Sequence, residues 1–315
     1  MVFDPRRLIR DGAVFLPQEV NAVTPLSEAL ARETIKPSTK VVVAPVGERR
    51  LILHATRLAY SHIVHGTIDG VPWVVGFCIV CNTGNTYRRQ VGDRWLKFKT
   101  AGVYNGMALL EDVQTGSYWD HITGECVHGE YRGERLENLG PLEHMTAGSA
   151  DKLYKDALLA TASYGPVRGL IGRLLHRTIG RKRGFLLPYF HLTMPEGDTR
   201  LPRMELGLGV WEEGKGCYYP MREITQRGGA VLHKPFDDRQ LLVYVDPIGG
   251  HLAAIWTEAK SVKVERDHLR LDELELRAGK LSKDGEPAPT ERPLQTFTRW
   301  YGFAFTFPEV PIYAG

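Results

Sequence analysis

Two cysteines three positions apart are the residues of this sequence best suited to chemistry. Cys78 and Cys81 form a Cys-x-x-Cys pair directly after the apolar run VPWVVGF, and the turn-forming residues NTGN follow. Thiolates at this spacing can chelate one soft or borderline metal ion. They can also form a redox disulfide, favoured when the first cysteine begins a helix, or be ordinary buried thiols. Because a turn follows, a thioredoxin-like arrangement is poorly supported, and we favour the metal.

One Cys-x-x-Cys pair is half of a structural zinc site, so a bound metal needs further ligands. The nearest potential ligands in sequence are His62, His65, His121 and Cys126. A single histidine in the position of His62 or His65 is more often a partly buried structural residue than a ligand, and the alternative for His121 is a surface residue. Two thiolates and one imidazole would leave an open coordination position, the pattern of a reactive site. That ligand set suits one transition metal ion: copper, zinc or iron.

The segment SYWDHI is expected to bring further side chains to the cysteines. Consecutive strands of a meander usually neighbour one another, and the strands after Cys78 are numerous enough to curl back. Alternation along the segment places Trp119 and His121 on one face. We also expect Arg88, Tyr118 and Trp119 to line a pocket beside the metal, as catalytic residues that act on a small-molecule substrate.

Short strands separated by turn residues dominate the rest of the chain, which predicts a β-rich α+β fold. Helical periodicity is seen in ERRLILHATRLAYSHIVHG and DKLYKDALLATASYG, and in a basic amphipathic segment at 167–183. The first half resembles the second in its order of strands and turns, so we expect two related β-meander or half-barrel halves joined by a helical segment. The predicted division is an N-terminal segment 1–40, a first half 41–148 containing the cysteine pair, a helical connector 149–199, and a second half 200–315.

Composition excludes several classes of protein. The chain has 315 residues, of which 43% are hydrophobic and 24% charged, as in ordinary globular proteins. Its net charge of +3 does not indicate a nucleic-acid partner, although the basic helix 167–183 could contact an acidic surface. Four cysteines are too few for a disulfide scaffold. No signal sequence and no transmembrane segment are predicted, so we expect a cytoplasmic protein.

The motif FCIVCNTGNTYRR resembles the bacterial family catalogued as domain of unknown function 3179. Members of that family have an apolar strand followed by Cys-x-x-Cys-x-Thr and, further on, a Thr-Gly-Ser-x-Trp segment. Here that segment reads QTGSYWDHITGECVHG, and DTRLPRMELGLGVWEEGKGCYYP and RWYGFAFTFPEVPIY are also similar. The resemblance spans roughly residues 45–145 and 198–313. It implies a fold and a cysteine site but no particular reaction.

Together these features predict a metal-dependent redox enzyme acting on a small molecule. The alternatives are a non-catalytic metal-binding or interaction module and a dithiol redox protein.

Overall fold

The computed structural model describes residues 3–10, 15–161, 166–178, 186–236 and 238–314. Its α-helices are α1 (Leu26–Ala31), α2 (Ala55–Ser61), α3 (Ala147–Leu153), α4 (Pro166–Thr178), α5 (Met221–Gln226) and α6 (Trp300–Thr306). Two 3₁₀ turns cover Pro5–Arg7 and Pro188–Thr193.

Strands are far more numerous than helices in the described residues. The strands up to residue 161 are β1 (Ile9–Arg10), β2 (Gln18–Glu19), β3 (Ala22–Pro25), β4 (Lys40–Val46), β5 (Arg49–His54), β6 (Ile63–Ile68), β7 (Val71–Cys78), β8 (Thr83–Arg88), β9 (Gln90–Val91), β10 (Arg94–Trp95), β11 (Phe98–Tyr104), β12 (Met107–Asp112), β13 (Tyr118–Asp120), β14 (Cys126–His128), β15 (Asn138–Pro141), β16 (Glu143–Thr146) and β17 (Ala157–Thr161). The later strands are β18 (Leu206–Glu212), β19 (Lys215–Pro220), β20 (Ala230–Phe236), β21 (Arg239–Val245), β22 (Leu252–Trp256), β23 (Val262–Val264), β24 (Leu269–Leu271), β25 (Leu274–Arg277), β26 (Lys280–Lys283), β27 (Glu286–Ala288) and β28 (Leu294–Arg299). The protein is therefore a β-rich α+β protein.

Two five-stranded sheets of the N-terminal region pack face to face around the cysteine pair. Their strand orders are β1-β11-β12-β13-β14 and β15-β8-β7-β6-β2, and β12 lies against β7. Trp119, Val74 and Leu110 are buried between them. Strand β7 is buried on both faces, as its nearly continuous run of apolar residues requires.

The C-terminal region closes the side of this sandwich that carries the cysteines. Strand β28 pairs with β18 in a three-stranded sheet and also lies against β8 and β15. Helix α6 follows β28 directly and is buried over most of its length. Its dense aromatic sequence therefore belongs to the largest hydrophobic core, where Trp300 and Phe303 join Phe77 and Cys81.

Two predicted helices are wrong in part. The segment expected to be one helix from Glu48 to Gly66 is strand β5, the short helix α2 and strand β6. His62 ends α2 in a left-handed conformation, with φ 57°, so His62 and His65 do not share a helix face. The second segment contains strand β17, which pairs with β5 and β3. In both, pairing within a buried sheet prevailed over a helical pattern of apolar residues.

Two segments have the same order of elements. A hairpin, a short helix and a three-stranded antiparallel meander occur as β4-β5-α2-β6-β7-β8 and again as β18-β19-α5-β20-β21-β22. The hairpins lie in different surroundings, since β4 and β5 belong to a five-stranded sheet and β18 pairs with β28. A shared order of elements does not by itself establish that the segments are related.

None of the helices in the described part of the chain is long and apolar enough to cross a membrane.

Candidate metal centre

The cysteine pair lies at a tight turn between two buried strands. Cys78 is the last residue of β7, and Cys81 lies in the four-residue turn before β8. Asn82 makes the reversal in a left-handed conformation, with φ 56°, which asparagine adopts more readily than most residues. The thiol of Cys81 turns back towards the carbonyl oxygen of Cys78, with Sγ at 3.7 Å. The turn brings the two sulfur atoms within 4.8 Å of each other.

The facing sheet supplies a histidine. His121 follows β13, and the Asp120 side chain holds the turn by accepting hydrogen bonds from the backbone of Ile122 at 2.9 Å and of Thr123 at 2.7 Å. The absence of a side chain at Gly76 leaves space for this histidine, because a Cβ there would lie 3.3 Å from the His121 Cβ. Gly76 and Cys78 are two residues apart on one strand and so share a face. The imidazole is therefore directed to the cysteines.

These three side chains form a compact group that can hold a metal ion. The His121 Nε2 lies 3.5 Å from the Cys81 Sγ, and the ligand atoms of Cys78, Cys81 and His121 all lie within 4.8 Å of one another. Each of the three residues is no more than 1% exposed. Among the described residues no other group of three potential ligands is as close.

The two thiols have opposite acidities. Burial alone would raise the pKa of Cys78, but the hydrogen bond from Cys81 and the nearby imidazoles of His121 and His62 outweigh it, and the pKa lies well below the ordinary range. Burial and then the neighbouring Cys78 raise the pKa of Cys81 well above that range. Cys78 is therefore the more acidic of the two thiols, and a metal cation would displace the protons that remain on the pair when it binds.

The C-terminal region holds the cysteine turn from outside. The Cys81 carbonyl oxygen accepts hydrogen bonds from the backbone N–H of Arg299 at 2.9 Å and from the Thr298 hydroxyl at 3.2 Å. Gly302 packs so closely that a Cβ there would lie 3.2 Å from the Cys81 Cβ. Residues far apart in sequence thus build the wall behind the site.

Two further side chains surround the sulfur atoms. Arg299 is 1% exposed, and its guanidinium lies close enough to lower the pKa of Cys81, against the larger effects of burial and Cys78. Tyr301 donates a hydrogen bond to the Gly106 carbonyl oxygen at 3.0 Å. The pKa of Tyr301 is raised well above its ordinary value, mainly by burial and to a smaller extent by the negative charge of the two cysteines. The sulfurs therefore face one buried cation and one neutral phenol.

The remaining predicted ligands lie outside the group of three. The His62 Nδ1 is 2.9 Å from the Tyr60 carbonyl oxygen, and its ring packs on Phe15. His65 lies on β6, where burial and Arg89 lower its pKa to about 4. The Cys126 thiol donates to the His128 carbonyl oxygen at 3.3 Å.

The three predicted pocket residues do not lie together: Tyr118 and Trp119 alternate on opposite faces of β13, and Arg88 lies on β8 of the other sheet. Trp119 lies in the core and donates its indole hydrogen bond to Asp112 at 3.0 Å. Tyr118 packs in a separate hydrophobic cluster with Phe3, and its hydroxyl accepts a hydrogen bond from the Arg10 guanidinium. Arg88 pairs with Glu137 at the surface.

Sequence reasoning missed Arg299, Tyr301 and Gly302. Their signal is the basic residue that opens the aromatic run RWYGFAFTF, a composition that predicts burial but not the neighbour it packs on. The contact joins residues about two hundred positions apart, which a local pattern does not reveal.

The fold and site together define a class: a β-rich protein with a buried cluster of two cysteines and one histidine between two sheets. Residues 21–310 match the family described as "Protein of unknown function (DUF3179)". The chain belongs to this family, which confirms the resemblance seen in the sequence. No curated protein and no solved structure matches the chain.

Proposed function

We propose that this protein binds one soft transition metal ion through Cys78, Cys81 and His121 and uses it in redox chemistry. The observation that supports this most strongly is the ligand set: two sulfurs and one imidazole nitrogen within 4.8 Å, all buried. Thiolate and imidazole ligands together favour copper, zinc or iron over hard cations. Because the thiols must stay reduced to bind metal, we also propose a cytoplasmic location.

Copper(I) fits this group best among the three metals. Two thiolates and the Arg299 guanidinium sum to one negative charge, which a monovalent cation neutralises, whereas a divalent ion would leave a net positive charge in a buried site. Uncompensated charge in such surroundings is costly. Soft thiolates are also ligands that copper(I) prefers.

A redox enzyme needs a route for its substrate, and one groove is lined by residues of the elements that carry or pack on the proposed ligands. It has a volume of about 550 Å³ and is lined by Asp120, Thr123, Trp211, Thr306 and Phe307, among others. Asp120 precedes the histidine ligand in sequence, and Thr306 ends the helix that packs on Cys81. We propose that a small molecule binds here, with the metal reached through His121.

Metal titration of the purified protein tests the binding proposal. We expect one copper(I) per chain in competition with a chromophoric chelator, and loss of that binding in a Cys78→Ser/Cys81→Ser variant. Cys217→Ser is the matched control, because Cys217 is also buried but lies on β19 away from the group. Equal copper binding by all three proteins would contradict the proposal.

The lowered pKa of Cys78 beside a second thiol favours one other function, that of a dithiol redox protein. In that case Cys78 and Cys81 would cycle between thiols and a disulfide without metal. Thiol counting after equilibration in glutathione buffers distinguishes the two. Reversible loss of two thiols, unaffected by His121→Ala, supports the dithiol function; protection of both thiols by stoichiometric copper(I) supports the metal.

The two segments of shared element order also support our proposal that the protein contains two related halves. In the second, Asp246 follows β21 where Cys78 ends β7, so the cysteine site belongs to one half. Backbone superposition of 45–100 on 205–257 tests this, and differing strand directions would refute it.

A further inference from the structure

Helix α4 has an unusual surface for a helix of a globular protein. A surface helix normally turns its apolar residues to the core. Here Val167, Leu170, Ile171 and Leu174, which recur at helical spacing on one face, are between 40% and 69% exposed. The helix is held to the protein by another face, since α4 packs against α2, Gly172 is buried and Leu175 packs on the main core. The exposed stripe is thus additional to the face that anchors the helix.

Positive charge accompanies this stripe. Arg173 and Arg177 are exposed on α4 and, at 100° per residue, lie along one side of the apolar face. Between Asp156 and Glu196 the sequence contains six arginines and lysines and no acidic residue. The remainder of the chain therefore has more acidic than basic residues, although the whole carries +3. In the sequence, the positive charge is thus concentrated in the stretch that contains α4.

We propose that the exposed face of α4, defined by Val167, Leu170, Ile171 and Leu174 with Arg173 and Arg177 beside it, docks on the surface of an anionic lipid bilayer. Apolar residues on one face with basic residues at its border are the pattern of helices that lie in the membrane interface. The apolar side chains would enter the acyl boundary, and the guanidinium groups would meet lipid phosphates.

Charge favours a bilayer over a second copy of this chain. In a symmetric dimer through α4, the arginines of the two helices would approach each other, and four apolar side chains provide little area for a stable interface. Nucleic acid would use the arginines but would leave the exposed leucines in water. An anionic bilayer satisfies both kinds of side chain.

Sedimentation of the full chain with vesicles tests this proposal. We expect binding to phosphatidylcholine vesicles containing one-quarter phosphatidylserine, weakening with added salt, and little binding to pure phosphatidylcholine. Leu170→Asp/Leu174→Asp should weaken binding more than tenfold, because two leucine side chains that would be buried in the bilayer are lost. Arg173→Gln/Arg177→Gln should weaken it by about fivefold per residue.

Val113→Asp is the matched control, since Val113 is also exposed and apolar but follows β12; its binding should equal that of the wild type. Thermal melts of all variants check that the exposed positions leave the fold intact. The proposal is overturned if the wild type does not sediment with anionic vesicles, or if the leucine variant binds as well as the wild type. It is also overturned if the wild type is a dimer and the leucine variant is a monomer. The same holds if the arginine variant loses binding to RNA but binds vesicles as well as the wild type does.

Discussion

Burial sets the protonation of individual histidines in this protein, and His65 shows it most clearly. The side chain is 5% exposed, and its Nδ1 has no hydrogen-bond partner among the residues that the structure describes. Burial, with Arg89 and Lys97, lowers its pKa from 6.5 to about 4 against a smaller opposing effect of Glu19. The folded protein therefore keeps this imidazole neutral at pH values where the unfolded chain would protonate it.

This lowered pKa predicts a loss of stability in acid. Because the folded-state pKa lies below the unfolded value, His65 contributes fully above about pH 6.5, and that contribution falls as the pH drops towards about 4. The size is roughly 3 kcal/mol, at about 1.4 kcal/mol per pH unit. In His65→Gln the free energy of unfolding should lose this slope, as denaturant titrations at pH 7 and pH 4 would show. His128→Gln, at an exposed position, should keep the wild-type slope; identical slopes in all three proteins would refute the assignment.

At the scale of elements, the turn after β13 positions the histidine of the centre. Asp120 accepts two backbone hydrogen bonds and one from the Thr123 hydroxyl at 3.0 Å. Removal of this carboxylate would leave those donors unpaired and release the turn. The same arrangement recurs in the β21–β22 loop, where the Asp246 carboxylate accepts hydrogen bonds from the backbone N–H of Ile248 at 3.0 Å and of Gly249 at 2.6 Å. Both aspartates are 5% exposed.

The recurrence provides a matched pair of variants. We expect Asp120→Ala and Asp246→Ala each to lower the free energy of unfolding by about 2–3 kcal/mol, because each substitution leaves buried backbone N–H donors without an acceptor. Only Asp120→Ala should weaken copper(I) binding, by about tenfold or more, because only that turn carries a ligand. Unfolding curves and chelator competition measure the two effects. Equal metal affinity in both variants would mean that the turn does not position His121.

The elements were predictable from sequence where the signal is local. The strand VPWVVGF and the turn after it follow from apolar content and turn residues, and together they place Cys78 and Cys81. The approach of SYWDHI to that turn followed from meander topology. Strand β5 and helix α2 were missed because their apolar spacing fits one long helix, and only pairing with β4 and β17 makes the first part a strand. The contact of Thr298 and Arg299 with Cys81 could not be predicted from a local pattern, because it depends on tertiary packing alone.

At the scale of the whole molecule, a largely buried ion pair joins a third five-stranded sheet, β16-β4-β5-β17-β3, to the segment before β28. Glu143 on β16 lies 3.2 Å from the Arg292 guanidinium and accepts the Tyr154 hydroxyl. Burial alone would raise the pKa of Glu143, but His251, Arg292 and Tyr154 outweigh it and lower the pKa. This carboxylate therefore stabilises the fold above the ordinary glutamate pKa, and the contribution is lost as the pH falls through the lower folded-state value.

Breaking this pair should cost far more than breaking one at the surface. Glu143→Gln would leave the Arg292 cation poorly compensated, and we expect a loss of roughly 3 kcal/mol in the free energy of unfolding at pH 7. The exposed pair Arg88–Glu137 is the control, and Glu137→Gln should cost less than about 1 kcal/mol. Chemical denaturation measures both. Similar losses in the two variants would show that Glu143 does not join the two regions.

The centre itself is also a feature of the whole molecule, because the ligands come from two facing sheets and the wall behind them comes from the C-terminal region. X-ray absorption spectroscopy of the metal-loaded protein tests this most directly. We predict one ion per chain with two sulfur ligands and one imidazole nitrogen, at about 2.3 Å and about 2.0 Å if the ion is zinc. Replacement of His121 by Ala should remove the nitrogen and keep the sulfurs. A folded protein that takes up neither copper, zinc nor iron, or an ion bound by oxygen and nitrogen alone, would contradict the account.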